Sequence, residues 1–344
     1  MGIKSEASMS EGTRQTSMRA VVQDAYGGPE VLQLDRAPLP EIGDNEVLVQ
    51  VRAAGLDRGT WHMMTGRPYL LRVLGFGFRR PKNRVPGLDV AGTVEAVGAN
   101  VTRFAIGDEV FGISRGSFAE YAAVRENKLA PKPANLTFEQ AAVIPISAGT
   151  ALQALTDVGR VEAGQRVLVV GASGGVGAYA VQLAKAFGAE VTGVCSTAKL
   201  DFVRSLGADH VLDYNSDDFA DGARQWDLLL EVAGNSPLSR LRRAITPRGT
   251  LVIVGGEEGG RWTGGFGRSL RAPLLSLFVR QRLTMLASKE RASDLERLAP
   301  LLEAGEVVGP LDGTFPLERV VEAMGQLEAG RIKGKVAIVV NVAG

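Results

Sequence analysis

From about residue 138 to residue 288 the chain repeats one texture: a short apolar, β-branched run, a turn, then apolar residues at helical spacing. Val167 to Val170 are apolar without a break, as expected of a parallel strand buried on both faces. Val176, Ala180, Leu183 and Phe187 then recur at four, three and four residues, a helix stripe that Gly188 ends. Comparable strand runs are predicted at 167–171, 191–194, His210–Tyr214, Trp226–Val232, Thr250–Gly255 and Leu283–Ala287. Six strands alternating with helices make a doubly wound parallel sheet of α/β class. Residues 18–138 look different. There MRAVVQ, EVLVQVRAAG, VAGTVEAVG, GDEVFG and GSFAEYAAV are separated by Gly and Pro turns, a β-rich and partly antiparallel pattern. After residue 288 that style returns. Ser293 and Glu296 predict a capping box for a helix carrying Leu295, Leu298 and Leu302, a second helix starts near Pro316, and KVAIVV closes as a strand. The expected division is a polar, disordered extension over 1–17, one domain over 18–138, a second over 139–288, and a return to the first over 289–344. No internal repeat is visible.

The turn after the first of the six strands carries chemistry. Ala172, Gly174 and Gly177 occupy the three small-residue places of a G-x-G-x-x-G pattern, between a strand and a helix, where the pattern predicts a dinucleotide site. Small residues let the backbone approach a pyrophosphate, and the helix start points N–H groups and a positive dipole end at it. Ala172, Ser173, Gly174, Gly175, Val176 and Gly177 are thus the candidate cradle. Where a ribose-reading acid is expected, at the end of the second strand, the chain has Cys195, Ser196, Thr197 and Lys199. The nearest acid, Asp201, falls in the next helix. Hydroxyls and an ammonium suit a 2′-phosphate, so NADP(H) is expected over NAD(H), although Ser196 is equally placed to cap the helix starting near Ala198.

Composition narrows the classes further. A length of 344 residues suggests two domains, and 39 basic against 38 acidic residues gives no reason to expect nucleic acid. A single cysteine excludes an internal disulfide and fits a reducing, cytoplasmic setting. The most apolar stretch, Leu270 to Val279, contains Arg271 and Pro273 and is about half the roughly 20 residues a membrane span needs, so no membrane association is expected.

The chain resembles a zinc-independent medium-chain dehydrogenase/reductase, in the quinone oxidoreductase and reticulon-interacting branches. The resemblance runs from Met18 onward, on AAG near residue 55, PGLDVAGTVEAVG, GDEVFG, GSFAEY, the glycine turn, SLGADHVLDY and GKVAIVV. It implies a GroES-like β-rich catalytic domain around a Rossmann domain, an active site in the cleft between them, and a homo-oligomer, dimer or tetramer. It also implies that Lys199 and Tyr214 contact the adenosine phosphate and that Thr150 lies beside the nicotinamide. Where zinc members carry cysteine, histidine and cysteine, the matching residues are Asp57, Leu88 and Ile146, two of them aliphatic. A site made of Asp57, His62 and Asp89 is the remaining way to hold a metal, and none is expected.

The segment expected to face the cleft runs from Leu56 through Asp57, Arg58, Gly59, Thr60 and Trp61 to His62, then Met63, Met64 and Tyr69. His62 falls at the family's proton-relay position, where an imidazole can donate to an enolate or quinol oxygen; packing beside Trp61 is the alternative. Thr60 is placed to bridge it to substrate. Asp57 departs from the asparagine usual in related quinone reductases, and an ionised carboxylate cannot donate to a substrate carbonyl. Burial keeps it protonated, or it pairs with Arg58 or His62, or the chemistry is not quinone reduction. The expectation is an NADPH-dependent, metal-free reductase of quinones or α,β-unsaturated carbonyls. A biosynthetic enoyl reductase, a redox-silent cyclase or isomerase, and a nucleotide-binding interaction protein are the other readings. Two segments, 67–84 and 259–282, interrupt the regular pattern as candidate lid, substrate pocket or oligomer contact.

Overall fold

The computed structural model describes residues 16–255, 260, 262 and 264–341; residues 1–15 of the expected extension lie outside these, and Ser17 already begins a strand. The six predicted strands of the second half form one sheet, with small shifts at their ends: Arg166–Val170, Glu190–Cys195, His210–Asp213, Trp226–Glu231, Ile245–Ile253 and Arg282–Met285. The fifth starts five residues before Thr250. Across the sheet they lie in the order third, second, first, fourth, fifth, sixth, all parallel. The order reverses beside the first strand, and that is where a crevice opens at the carboxyl ends of a doubly wound sheet. Val167, Leu168 and Val169 are fully buried, as a strand covered on both faces requires.

A second sheet holds seven strands, built around the long Glu46–Leu56. Its first half pairs with Tyr121–Arg125 and its last residues with Lys335–Val339, while Asp89–Val97 runs along the other side. The chain's end is thus stitched into the domain where it began. The core does not respect the division at residue 138. Ala53, Ala91 and Phe111 of this sheet pack in one cluster with Ala141, Ile144, Leu155 and Val169, so the two domains share apolar surface beneath the crevice.

One local expectation is corrected. The helix with Leu295, Leu298 and Leu302 spans Ala292–Glu303, starts before Ser293 and has no side-chain cap. Glu296 turns instead to Arg103, and Asp294 takes hydrogen bonds from Gln153, Arg291 and Arg297. Long-range contacts from Arg103 and Gln153, with ion pairs from Arg291 and Arg297 three residues either side of Asp294, therefore replace the capping box. The segment 259–282 contains a helix, Phe266–Ser276, with Pro273 inside it. No helix among the described residues is long and apolar enough to cross a membrane.

Candidate active site

A cleft of about 630 Å³ runs along the carboxyl ends of the parallel strands and reaches the seven-stranded sheet at Leu56 and Asp57. Its floor is the glycine turn. The tight bend is made by Gly171, at φ 87°, where a Cβ would meet Ala233 at 2.6 Å; the sequence pattern had assigned the first place to Ala172, which is fully buried. Gly177 is required for packing, since a Cβ there would lie 2.1 Å from the Gly171 carbonyl oxygen. A Cβ on Gly174 would meet only that oxygen, at 3.6 Å, and would otherwise stand in the cleft. The helix Gly175–Ala186 follows without a side-chain cap, so its first N–H groups await an acceptor. An orphaned helix start behind small residues fits a pyrophosphate.

Of the residues expected at the adenosine end, Ser196, Lys199 and Tyr214 line the cleft. Thr197 does not: its hydroxyl donates to Asp213, whose carboxyl is held below the usual range by that bond and by the Asn215 N–H. The Lys199 ammonium donates to the carbonyls of Gly330 and Ile332, at 2.9 and 2.7 Å. Sequence reasoning missed Arg240. Its guanidinium lies over the Phe219 ring at 4.5 Å and donates to Asp218, yet its Nε is buried and without a partner. Both Arg240 and Phe219 line the cleft. A basic residue in a short helix after the fourth strand carries no pattern that points at a site 40 residues earlier in sequence.

At the opposite end Asp57 caps the helix Arg58–Thr65, its Oδ1 accepting from the Thr60 N–H at 2.7 Å. Its Oδ2 is buried with no hydrogen-bond partner, and the residue lines the cleft. Thr60 is fully buried with its hydroxyl equally unpartnered. The His62 ring is edge-on to Trp61, with Nδ1 2.7 Å from the Arg67 carbonyl oxygen; His62 is not among the residues lining the cleft. Thr150 lies in a small adjoining hollow with Ile146, and its hydroxyl is 3.3 Å from that of Ser288. The three expected catalytic residues are therefore neighbours on one helix, and Asp57 alone of them reaches the cleft.

Behind Asp57 is a buried pair that sequence reasoning did not anticipate. Asp89 accepts from Lys335 Nζ at 3.1 Å and from the Ile146 N–H at 2.8 Å, and neither Asp89 nor Lys335 is more than 2% exposed. Burial pushes the Asp89 carboxyl up to about 7, with the Lys335 charge opposing and the Asp57 charge adding to the rise. Lys335 also lies against the cradle, since a Cβ on Gly175 would come within 2.9 Å of its Cδ. A second buried pair joins Glu231, raised to about 7 by burial, to Arg268, which also donates to the carbonyls of Ser236 and Gly255. The two irregular segments meet as well: Tyr69 packs edge-on against Trp262 at 5.4 Å, and the Leu70 N–H donates to the Trp262 carbonyl.

Among the described residues no three His, Cys, Asp or Glu side chains form a group able to hold a metal. Leu88 and Ile146 remove two of three positions, and His62 points to a carbonyl instead of joining Asp57 and Asp89.

The alcohol dehydrogenase GroES-like domain family matches residues 43–134, and a family described as zinc-binding dehydrogenase matches 206–338. The chain is 33% identical to a 2-methylene-furan-3-one reductase of Solanum lycopersicum, over 94% of this chain and 79% of the relative. It is 34% identical to an NADPH-dependent alkenal/one oxidoreductase, chloroplastic, of Arabidopsis thaliana, over 93% and 79%. A solved quinone oxidoreductase from Coxiella burnetii superposes with a TM-score of 0.84 at 27% identity, covering 94% of this chain and all of that one. The resemblance seen in the motifs thus holds across nearly the whole chain and in its three-dimensional structure. This chain belongs to the medium-chain dehydrogenase/reductase family, in its zinc-independent, quinone oxidoreductase-like branch.

Proposed function

We propose that this protein is an NADPH-dependent reductase of α,β-unsaturated carbonyls and quinones. One observation carries the reading: the cleft that holds a glycine cradle for a dinucleotide reaches Asp57, whose Oδ2 is buried without a partner, and the other two metal-ligand positions are aliphatic. The bound cofactor supplies hydride, and a conjugated acceptor needs no Lewis acid because the negative charge delocalises. Gly174, Gly175 and Val176 hold the pyrophosphate through backbone N–H groups. Ser196, Lys199 and Tyr214 face the adenosine phosphate, and Arg240 adds an unspent N–H there. Asp57 faces the acceptor oxygen, gives it a proton as hydride arrives at carbon, and is reprotonated from solvent. Thr60 fixes Asp57 through its N–H, and His62 holds the chain at Arg67, so both act by positioning. Asp89 sets the helix Pro145–Gln153, and with it Thr150, against the cleft.

The reading is tested by following NADPH oxidation with quinones, enones, enals and saturated ketones. Turnover confined to conjugated acceptors is expected. Tight NADPH binding with no turnover of any acceptor overturns the reading in favour of a nucleotide-binding interaction protein.

A homo-oligomer is part of the proposal. Leu270 and Leu274 of the helix Phe266–Ser276 are exposed, as are Leu277 and Phe278 just beyond it, and Arg282–Met285 is an open edge of the parallel sheet. Apolar area and a free edge together suit a second copy. Leu274→Asp with Phe278→Asp should give monomers by light scattering; an unchanged mass sinks the assignment. A cytoplasmic setting is supported by the single, buried cysteine, and fractionation of the tagged protein decides it against an organelle.

A further inference from the structure

Beside the cofactor cleft the segment 67–84 encloses a second space, of about 580 Å³, that nothing in the reaction above requires. That volume is within the roughly 300–1,000 Å³ of small-molecule sites. The two spaces lie side by side. Met63 of the helix capped by Asp57 faces this one, and Gly87 lines it one residue before Leu88, against which a Cβ on Gly59 of the cleft would pack at 3.2 Å. Arg115, also in the lining, is held by Glu290, which lies in the hollow with Thr150.

The lining is apolar at Met63 and Phe76 and carries no acid. Gln23 lines the pocket and is 3% exposed, and its Oε1 is buried without a hydrogen-bond partner. Turning that amide over costs no hydrogen bond at the oxygen and presents its NH2. Asn83 accepts from the Val85 N–H through Oδ1, which leaves its own NH2 for a ligand. The segment holds six cations and no acid: Arg67, Arg72, Arg79, Arg80, Lys82 and Arg84. Arg72 is spent on the carbonyls of Thr65 and Gly66, and Arg84 on Asp24. Lys82, in the lining, has no acidic partner among the described residues.

We propose that this pocket takes the carboxylate end of an apolar, conjugated acceptor, with Gln23, Asn83 and Lys82 as its donors. The proposal rests on the reductase reading for the identity of its ligand and on the pocket alone for the anion. Two measurements separate them. In steady-state assays an eight-carbon enone ending in a carboxylate should show a KM about tenfold below that of its methyl ester, as a charge-assisted contact allows. Lys82→Glu and Gln23→Leu should erase this preference and leave kcat and KM for a three- or four-carbon enone unchanged. Equal KM for acid and ester in the parent protein overturns the proposal, as does a variant that harms the short enone equally. Calorimetric titration of the NADPH-loaded protein with octanoate reads the pocket without turnover. Saturable binding that Lys82→Glu abolishes supports it, and absence of binding sinks it, whether or not enones are reduced. If short enones are not turned over while octanoate binds, the reductase reading fails and the anion pocket stands.

Discussion

The two ends of the cleft are built on different principles. At the pyrophosphate end the working groups are backbone N–H groups, and side chains matter by being absent, as at Gly171, Gly174 and Gly177. At the end proposed for the acceptor the candidate groups are side chains, Asp57 and Lys335 in the cleft lining and Asp89 paired with Lys335, gathered from three stretches of chain. A backbone site depends on local geometry and is written in consecutive residues. A side-chain site depends on which distant residues share a buried space. The end proposed for the adenosine falls between, with Ser196, Lys199 and Tyr214 in the cleft lining and Arg240 arriving from another helix.

The difference is most exposed to attack at the buried pair. Lys335→Met leaves the Asp89 carboxyl in a nearly dry site without its partner, and should cost about 3–5 kcal/mol in stability by denaturant unfolding. Adding Asp89→Asn should return most of that loss. If the single change costs under about 1 kcal/mol, within the range of exposed pairs, the acceptor end is not held from within.

Asp57 comes next. Asp57→Ala removes both the group facing the acceptor and a helix cap, so kcat/KM for the best enone should fall about a hundredfold and stability by about 1 kcal/mol. Asparagine caps as well as aspartate, so Asp57→Asn should keep the stability, and its activity isolates the proton exchange. Unchanged turnover in both variants removes Asp57 from the chemistry.

Acidity sharpens the same contrast, because Asp89 and Glu231 are the two carboxyls raised to about 7 by burial. Each folded value lies above the unfolded one, near 4, so between those limits the folded protein holds more protons than the unfolded chain. Their contribution to stability is complete below about pH 4 and is lost as pH rises through about 7. Melting temperature followed from pH 5 to 8 should therefore decline more steeply in the parent than in Asp89→Asn or Glu231→Gln. Parallel curves for all three proteins contradict the assignment.

Smaller effects test the adenosine end and the helix. Arg240→Ala should raise the Kd for NADPH about tenfold and leave NADH unaffected, since one charge-assisted bond to the 2′-phosphate is lost. Equal weakening for both nucleotides would show that Arg240 supports Phe219 and the adenine instead. His62→Ala should reduce kcat no more than about threefold, as removal of a surface hydrogen bond does, with the pH profile unmoved. A large drop with a displaced profile restores His62 to the proton path.

Sequence alone determined what is local or periodic. Four consecutive apolar residues, then small residues at fixed places, then a 3.6-residue stripe already specify strand, turn and helix, since each step is decided by neighbours a few residues away. A doubly wound parallel sheet was legible in the repetition of that unit, though not its strand order, and the replacement of two zinc-ligand positions was legible as Leu88 and Ile146. Tertiary structure alone decided the rest. The capping box at Ser293 and Glu296 lost Glu296 to an ion pair with Arg103, 193 residues away. Thr197 was spent on Asp213, Lys199 lines the cleft while donating to two carbonyls of the chain's return, and Arg240 joined the same lining with a buried, unpartnered Nε. Lys335 met Asp89 across 246 residues because the last strand pairs with Glu46–Leu56, beside the strand that begins at Asp89. No local pattern encodes such meetings, because a side chain's partner is fixed by the space that folding encloses and not by its place in the chain.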